Sequence, residues 1–332
     1  MLKALKRFRP FLIAYTALRS AQARRRYESG DIGSIGGSTT VHRPLSESLD
    51  YIQRVFHDFN RYAGLNPDSV AGKRMAEIGP GDNLGLGLLY LAWGAATYTG
   101  LDRFFSEHDE NRERDIYLGL RTTLGSSERA RFDEAVDLSQ GIRFNEAKIR
   151  YRYGVAAEDC DVTLGPNTAD ILLSRVVIQS VNLERAFPAM HNVLSPGGLM
   201  AHKLDFRDLG VFAQNGYHPL EFRTLEEDCY QWMIQGGDHP NRRHIPYYRE
   251  FLTRHHYDFQ LLRTGVISPE PPGFWRAVDP HTEELILGVH FSAEDVAWVE
   301  SIRPRLIPEF RSLPAADLLS AGLFLVARKK TL

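Results

Sequence analysis

The chain has 332 residues, 43% of them hydrophobic and 25% charged, a composition that belongs to a folded globular protein and excludes disordered, collagen-like and membrane-spanning classes. Its formal net charge of -2 gives no global field to gather nucleic acid, so no nucleic-acid partner is expected. The two cysteines, Cys160 and Cys229, form no CxxC pair and the twelve histidines include no H-E-x-x-H, so neither a disulfide framework nor a metal site is expected and a reducing cytoplasm suits the chain.

The first 26 residues carry Lys3, Lys6, Arg7, Arg9, Arg19, Arg24, Arg25 and Arg26 with no acid, and Phe8, Phe11, Leu12, Ile13, Tyr15 and Leu18 lie between them. Three readings are open. The segment is a basic amphipathic helix on an anionic membrane surface, a helix packed on its own domain, or a signal peptide ending at Ala21-Gln22-Ala23, whose apolar run is short and broken by Arg19. No segment is long enough to span a bilayer. Gly30 to Thr40 is rich in Gly and Ser and reads as a linker. Residues 1–45 are therefore expected to form an arm and residues 46–332 the folded domain.

Ser46 to Tyr62 reads as a helix capped by Ser46, with Leu49, Ile52, Val55, Phe56 and Phe59 on one apolar face. From residue 73 the pattern becomes strand, glycine turn, helix, strand. Arg74 to Ile78 is the first strand, Gly79-Pro80-Gly81-Asp82-Asn83 the turn, Leu84 to Trp93 an apolar helix that must be buried, and Thr97 to Leu101 the second strand, ending in Asp102. This βαβ unit predicts a parallel sheet covered on both faces. Residues 104–148 exceed a normal crossover and predict an inserted helical pair.

Strand three is expected at Ile149 to Val155, strand four at Asp170 to Val177 and strand five at Leu199 to Phe206, with a helix from Leu183 to Leu194 that stops at Ser195-Pro196-Gly197-Gly198. Beyond it, Leu220 to Gln235 and Ile245 to His255 look helical, and Phe259 to Ile267 and Gly322 to Arg328 look like strands. Ser268 to Asp279, with Pro269, Pro271, Pro272, Phe274 and Trp275, reads as a lid or substrate loop.

Glycines at the carboxyl end of a strand let the backbone turn sharply and clear space for a ligand, and open α/β sheets bind ligands in that crevice. Asp102 stands 23 positions after Gly79, at the tip of the next strand, where a carboxylate can accept from both hydroxyls of a ribose. A GxG alone is a weak signal. The dinucleotide fingerprint needs a small residue at position 84, where Leu84 stands, and a carboxylate at Glu77 repels phosphates but suits a cationic sulfonium and its amino group.

The stretch from Gly72 to Phe206 resembles the class I S-adenosylmethionine-dependent methyltransferases. The resemblance rests on Glu77-Ile78-Gly79-Pro80-Gly81, Gly100-Leu101-Asp102, Ala156-Ala157-Glu158-Asp159, Ala169-Asp170-Ile171-Leu172-Leu173-Ser174 and Leu194-Ser195-Pro196-Gly197-Gly198-Leu199, five pieces in order. It implies a doubly wound, Rossmann-like α/β sheet of seven strands with a final antiparallel hairpin and helical insertions at 104–148, 207–244 and 268–320 that cover the substrate. It implies S-adenosylmethionine as the cofactor: Gly79 and Gly81 flank the methionine moiety beside Glu77, Pro80 and Asn83, Asp102 with Arg103 holds the ribose, Ala157 and Glu158 frame the adenine, and Ser174 and Arg175 line the floor near the methyl group. The Gly-Pro-Gly-Asp-Asn turn and Lys203-Leu204-Asp205-Phe206-Arg207-Asp208 also resemble, more weakly, bacterial methyltransferases encoded with surface-polysaccharide genes.

The expected activity is methyl transfer, to an oxygen of a small molecule or glycan precursor. An oxygen nucleophile benefits from a base, and the candidates are Asp205, His202, His218 and His239; alternation turns His202 and Asp205 to opposite faces, and Asp205, at the carboxyl end of the strand, is the better placed of the two. Asn241, Arg242 and Arg243, with Tyr247 and Tyr248, form a polar and aromatic group able to hold a sugar ring or an anionic substrate. The rival readings are an NAD(P)-dependent oxidoreductase, which Leu84 and Glu77 oppose, and a cofactor-binding scaffold without catalysis.

Overall fold

The strand, turn and helix that begin at residue 73 form the centre of an eight-stranded sheet. In the computed structural model the described residues are 2–34, 40–236, 239–269, 275–278 and 282–331. The strands are β1 (Arg74–Ile78), β2 (Thr97–Asp102), β3 (Ile149–Tyr153), β4 (Ala169–Arg175), β5 (Leu194–Asp205), β6 (Tyr257–Ile267), β7 (Trp275–Ala277) and β8 (Ser320–Lys329). Their spatial order is β3-β2-β1-β4-β5-β8-β6-β7. The first five run parallel, with Ile78 beside both Leu101 and Ser174, and β8 pairs antiparallel with both β5 and β6. Seven strands were expected; β7, three residues on the edge of β6, is the eighth.

Alternation along the strands feeds two cores. Met75, Ile171, Leu173, Ala201 and Phe324 face α2 (Leu45–Ala63), α3 (Gly85–Ala92) and α4 (Glu110–Thr122). Ala76, Ile78, Leu172, Met200, Leu204 and Leu325 face α6 (Leu183–Val193) and α8 (Ile245–Arg254) on the other side. A sheet covered on both faces is the doubly wound arrangement that the βαβ pattern predicts. Every residue of α3 is buried, as its uninterrupted apolar run demands.

Several boundaries differ from expectation for local reasons. α2 begins at Leu45 behind Pro44 and has no side-chain cap, so Ser46 sits inside the first turn. β4 ends at Arg175 because Val176 turns left-handed (φ 57°) and the chain enters a short 3-10 turn, Ile178–Ser180. β5 starts at Leu194, which already pairs with Ala169, so the Ser-Pro-Gly-Gly segment is a bulge within the strand. The helix expected over Leu220 to Gln235 is a 3-10 turn, Glu221–Thr224, followed by α7 (Glu227–Ile234). Between β2 and β3 the helical pair is present as α4 and α5 (Ser126–Ala135).

The amino-terminal helix, α1 (Arg9–Glu28), packs against α7. Its Leu12 joins Phe212, Phe222, Leu225, Tyr230 and Met233 in a small core, Arg9 pairs with Glu221 at 2.7 Å, and the Gly236 amide donates to Ser20 Oγ at 2.6 Å. Past the helix, Gly33 and Ser34 pair in parallel with Phe105 and Ser106. Among the described residues no helix is long and apolar enough to cross a membrane. Pro271, Pro272 and Phe274 of the expected lid, and residues 35–39 of the linker, lie outside the described residues.

Candidate functional site

A cleft of about 470 Å³ opens at the carboxyl ends of β1, β2 and β4, where the strand order reverses between β1 and β4. Such switch points are where open α/β sheets bind ligands. Glu77, Gly79, Pro80, Gly81 and Asn83 come to it from the end of β1 and Asp102 and Arg103 from β2. Ala157 and Glu158 follow β3, and Arg175 and Val176 follow β4. Of the eleven residues expected to hold the cofactor, ten line this one space; Ser174 does not.

The turn after β1 is shaped by two left-handed glycines, Gly79 (φ 78°) and Gly81 (φ 77°). A side chain at Gly79 would place its Cβ 2.3 Å from Val177 Cγ2, so only hydrogen fits. The Gly81 amide donates to Asp102 Oδ2 at 3.2 Å and the Phe104 amide to Asp102 Oδ1 at 3.2 Å. The carboxylate is thereby fixed at the strand tip while it stays partly exposed to the cleft. Arg103 lies over the Tyr27 ring, 4.5 Å from its centroid, rather than on Asp102.

Glu77 is buried and accepts from the Tyr98 hydroxyl at 2.5 Å. Burial pushes its pKa up to about 7; the Tyr98 hydrogen bond and the nearby Arg175 pull it down, and Asp102 adds to the rise. A carboxyl poised in this way gains from any cation placed beside it. Arg74, its nearest basic neighbour in the sequence, is occupied elsewhere, donating from Nη2 to Asp170 Oδ1 at 2.8 Å.

Asn83 Oδ1 accepts from the Gly85 amide at 2.9 Å, starting α3, and Asp82 Oδ2 accepts from the Thr40 and Val41 amides at 2.7 and 3.0 Å. The same turn thus anchors the chain that leads into α2. Tyr51, Ile52 and Val55 of α2 and Ser34 of the amino-terminal segment complete the cleft wall. They escaped the sequence reading, although the apolar face of α2 was visible there. Glu158 meets the cleft edge and accepts from the Asn182 amide at 2.8 Å.

The four candidate bases are not brought to this cleft. His202 is fully buried in β5 with Nδ1 2.8 Å from Ser174 Oγ, and burial pushes its pKa down to about 3. Ser174 is thus engaged and fully buried, and it is not among the residues that line the cleft. Asp205 forms an ion pair with Arg207 at 2.6 Å. His218 pairs with Glu221 at 2.8 Å, in a buried group that also takes Arg9 and Arg305. His239 sits in the insertion, and burial lowers its pKa. Arg175, by contrast, reaches Asp58 Oδ2 at 2.8 Å at the cleft wall. Beside it Lys203, which the sequence marks only as part of the strand-five resemblance, is pushed down to about 8 by desolvation and the Arg175 charge, and its Nζ donates to Thr264.

Among solved structures the chain is similar to an S-adenosylmethionine dependent methyltransferase from Mesorhizobium loti, at 16% identity over 86% of this chain and 100% of that one, with a TM-score of 0.39. It is similar to Haemonchus contortus phosphoethanolamine N-methyltransferase 2 in complex with S-adenosyl-L-methionine, at 15% identity, 84% and 52% coverage and a TM-score of 0.40. A third likeness is to a SAM dependent methyltransferase from Archaeoglobus fulgidus, at 12% identity, 84% and 94% coverage and a TM-score of 0.39. No protein-family model and no curated protein matches the chain.

Proposed function

We propose that the protein is an S-adenosylmethionine-dependent methyltransferase acting on an oxygen of a small molecule or glycan precursor. The observation that carries this reading is a pair of carboxylates, Glu77 and Asp102, at the tips of adjacent parallel strands on either side of a Gly-Pro-Gly turn, in a single cleft. Asp102, held by two backbone amides, presents its remaining acceptor capacity to the two hydroxyls of a ribose. Glu77 offers a buried negative charge to a cationic amino acid moiety. Ala157 gives an apolar wall and Glu158 a polar edge, a combination suited to an adenine ring.

A dinucleotide fits less well: Leu84 is buried where the fingerprint needs a small residue, and Glu77 opposes a pyrophosphate. A cleft of about 470 Å³ lies within the roughly 300–1,000 Å³ usual for small-molecule sites and has room for a nucleoside with a modest acceptor.

When bound, the cofactor supplies an already activated methyl group on a sulfonium. The protein's part is to align and to keep dry. Arg175, fixed by Asp58, and Val176 and Val177 border the place where an acceptor meets the cofactor, and Leu209 closes it from the segment after β5. No histidine or lysine is among the described residues lining the cleft, so alignment carries more of the rate than base catalysis does. The insertions at 104–148, 207–244 and 268–320 build the cover over the acceptor.

Calorimetry on the full chain tests the reading. S-adenosylmethionine and S-adenosylhomocysteine should bind, and NAD and NADP should not. Asp102→Ala should weaken both true ligands by about 10- to 100-fold, the loss expected for hydrogen bonds to a charged group. Binding of neither, with Asp102→Ala indistinguishable from the parent, removes the proposal.

A further inference from the structure

The insertion between β5 and α8 buries two guanidiniums, Arg223 and Arg242, while its two buried carboxylates are engaged elsewhere, Asp208 by the amides of Gly210, Phe212 and Ala213 and Glu221 by Arg9, His218 and Arg305. Arg223 is 1% exposed; its Nη2 donates to the Phe206 carbonyl at 2.9 Å, while Nε and Nη1 have no partner among the described residues. The charge that acts on it most is another cation, Arg242, also buried, whose guanidinium donates to the Phe222 and Leu225 carbonyls and to Glu227. Glu227 stands at the surface, with its side chain 56% exposed. Arg242 therefore has one solvated carboxylate, and Arg223 beside it makes no ion pair among the described residues.

The neighbouring groups share this lack of partners. His244 is buried, lies tilted by 30° against Phe206 with centroids 4.6 Å apart, and has neither ring nitrogen bonded among the described residues. Gln179 is buried with both ends of its side-chain amide unpartnered among the described residues, and its main-chain carbonyl accepts from the main-chain N–H of Asn241, three residues before His244. Buried polar atoms are normally satisfied, and an unpaired buried charge is the costliest exception. Water can fill hydrogen bonds but cannot balance the charge. An oxyanion does both, because each of its oxygens accepts and its charge is of the missing sign.

The backbone around the cluster is shared with the cleft. The turn after β4 gives Val176, Val177, Ser180 and Val181 to the cleft and Gln179 to the cluster, and the segment after β5 gives Leu209 to the cleft and Phe206 to the cluster. We propose that Arg223, with His244 and Gln179, binds a carboxylate or phosphate group carried by the methyl acceptor. Assignment to the acceptor rests on the transferase reading; the anion site rests on the unbalanced charge.

The test is thermal melting of the full chain loaded with S-adenosylhomocysteine, titrated with inorganic phosphate and with glycerol phosphate at constant ionic strength. Both should give a saturable rise, on the order of a few degrees at a hundred times Kd, with glycerol phosphate effective at lower concentration. Arg223→Met should abolish the rise. If that variant fails to fold, Arg223→Lys and His244→Gln should each weaken phosphate by about tenfold while leaving S-adenosylhomocysteine affinity unchanged. No rise with either anion, or a rise that survives substitution of Arg223, overturns the anion site. Inorganic phosphate binding as tightly as the ester makes the anion a resident ion and overturns its assignment to the acceptor. Calorimetric heat with S-adenosylhomocysteine on the same sample reports the transferase reading separately, and its absence overturns that reading alone.

Discussion

The rim of β1 and β2 and the insertion between β5 and α8 are both dense in polar groups, yet they are built in opposite ways. Around the glycine turn the partners belong to the first βαβ unit and the residues just after it: Asp102 takes the amides of Gly81 and Phe104, and Asn83 takes that of Gly85. In the insertion they come from far away, Arg9 and Arg305 to Glu221 and Ser20 to Gly236. The rim is a local stereochemical device that needs particular residues at particular offsets. The insertion is an assembly whose parts have meaning only once the chain has folded.

Gly79→Ala is the sharpest way to break the rim. The new Cβ meets Val177 at a left-handed φ, so overpacking and backbone strain add to at least about 2 kcal/mol, and binding in the cleft should vanish with the displaced turn. Denaturant melts and calorimetry on the one variant check both. An equal substitution at Gly216, also left-handed but with open space around it, should cost only about 1–2 kcal/mol and leave the cleft intact.

The next effect concerns protons. Glu77 titrates near 7 in the folded chain because it is buried, above its value of 4.5 when free. Folding therefore favours the protonated form: this group's contribution is largest below pH 4.5, falls as the pH rises through about 7, and is constant above it. A cationic ligand selects the ionised form, so affinity for S-adenosylmethionine should rise up to about tenfold between pH 6 and 8. Glu77→Gln should flatten that slope and raise the melting temperature at pH 8 more than at pH 5. A slope that survives the substitution would assign the proton elsewhere.

This contrast also explains what could be read in advance. The positions of the strands along the chain, the glycine turn and Asp102 were legible because each lies within one βαβ pattern or follows period-two alternation. Ser174 and His202 were not, since which face of a strand meets the cavity depends on the twist of the finished sheet and on the bond between the two side chains. Arg223 gave no signal at all: an arginine in a polar stretch reads as solvated, and only burial reveals its missing counter-charge. The nearby Asn241-Arg242-Arg243 group was visible as polar and aromatic. Its use, with Arg242 over Tyr230 and Arg243 on Glu184, was not.

The smallest predicted effects lie on α1, where the same helix carries both kinds of contact. Arg24 pairs with Glu28 one turn away at 2.7 Å, both more than half exposed, and such pairs contribute little because water screens them. Arg9 reaches the buried Glu221 and donates to Thr224, tying the helix to the insertion over 212 positions. Arg305 and His218 remain on Glu221 when Arg9 is removed, so the carboxylate is not orphaned. Arg9→Ala should therefore cost on the order of 1 kcal/mol, and Arg24→Ala no more than about 0.5 kcal/mol. Urea melts at low and high salt separate them, because the Arg24 effect should vanish in salt while part of the Arg9 effect persists. Equal losses at both positions would mean that α1 does not hold the insertion through Glu221, and that its buried face of Leu12, Thr16, Ala17 and Ser20 carries the attachment.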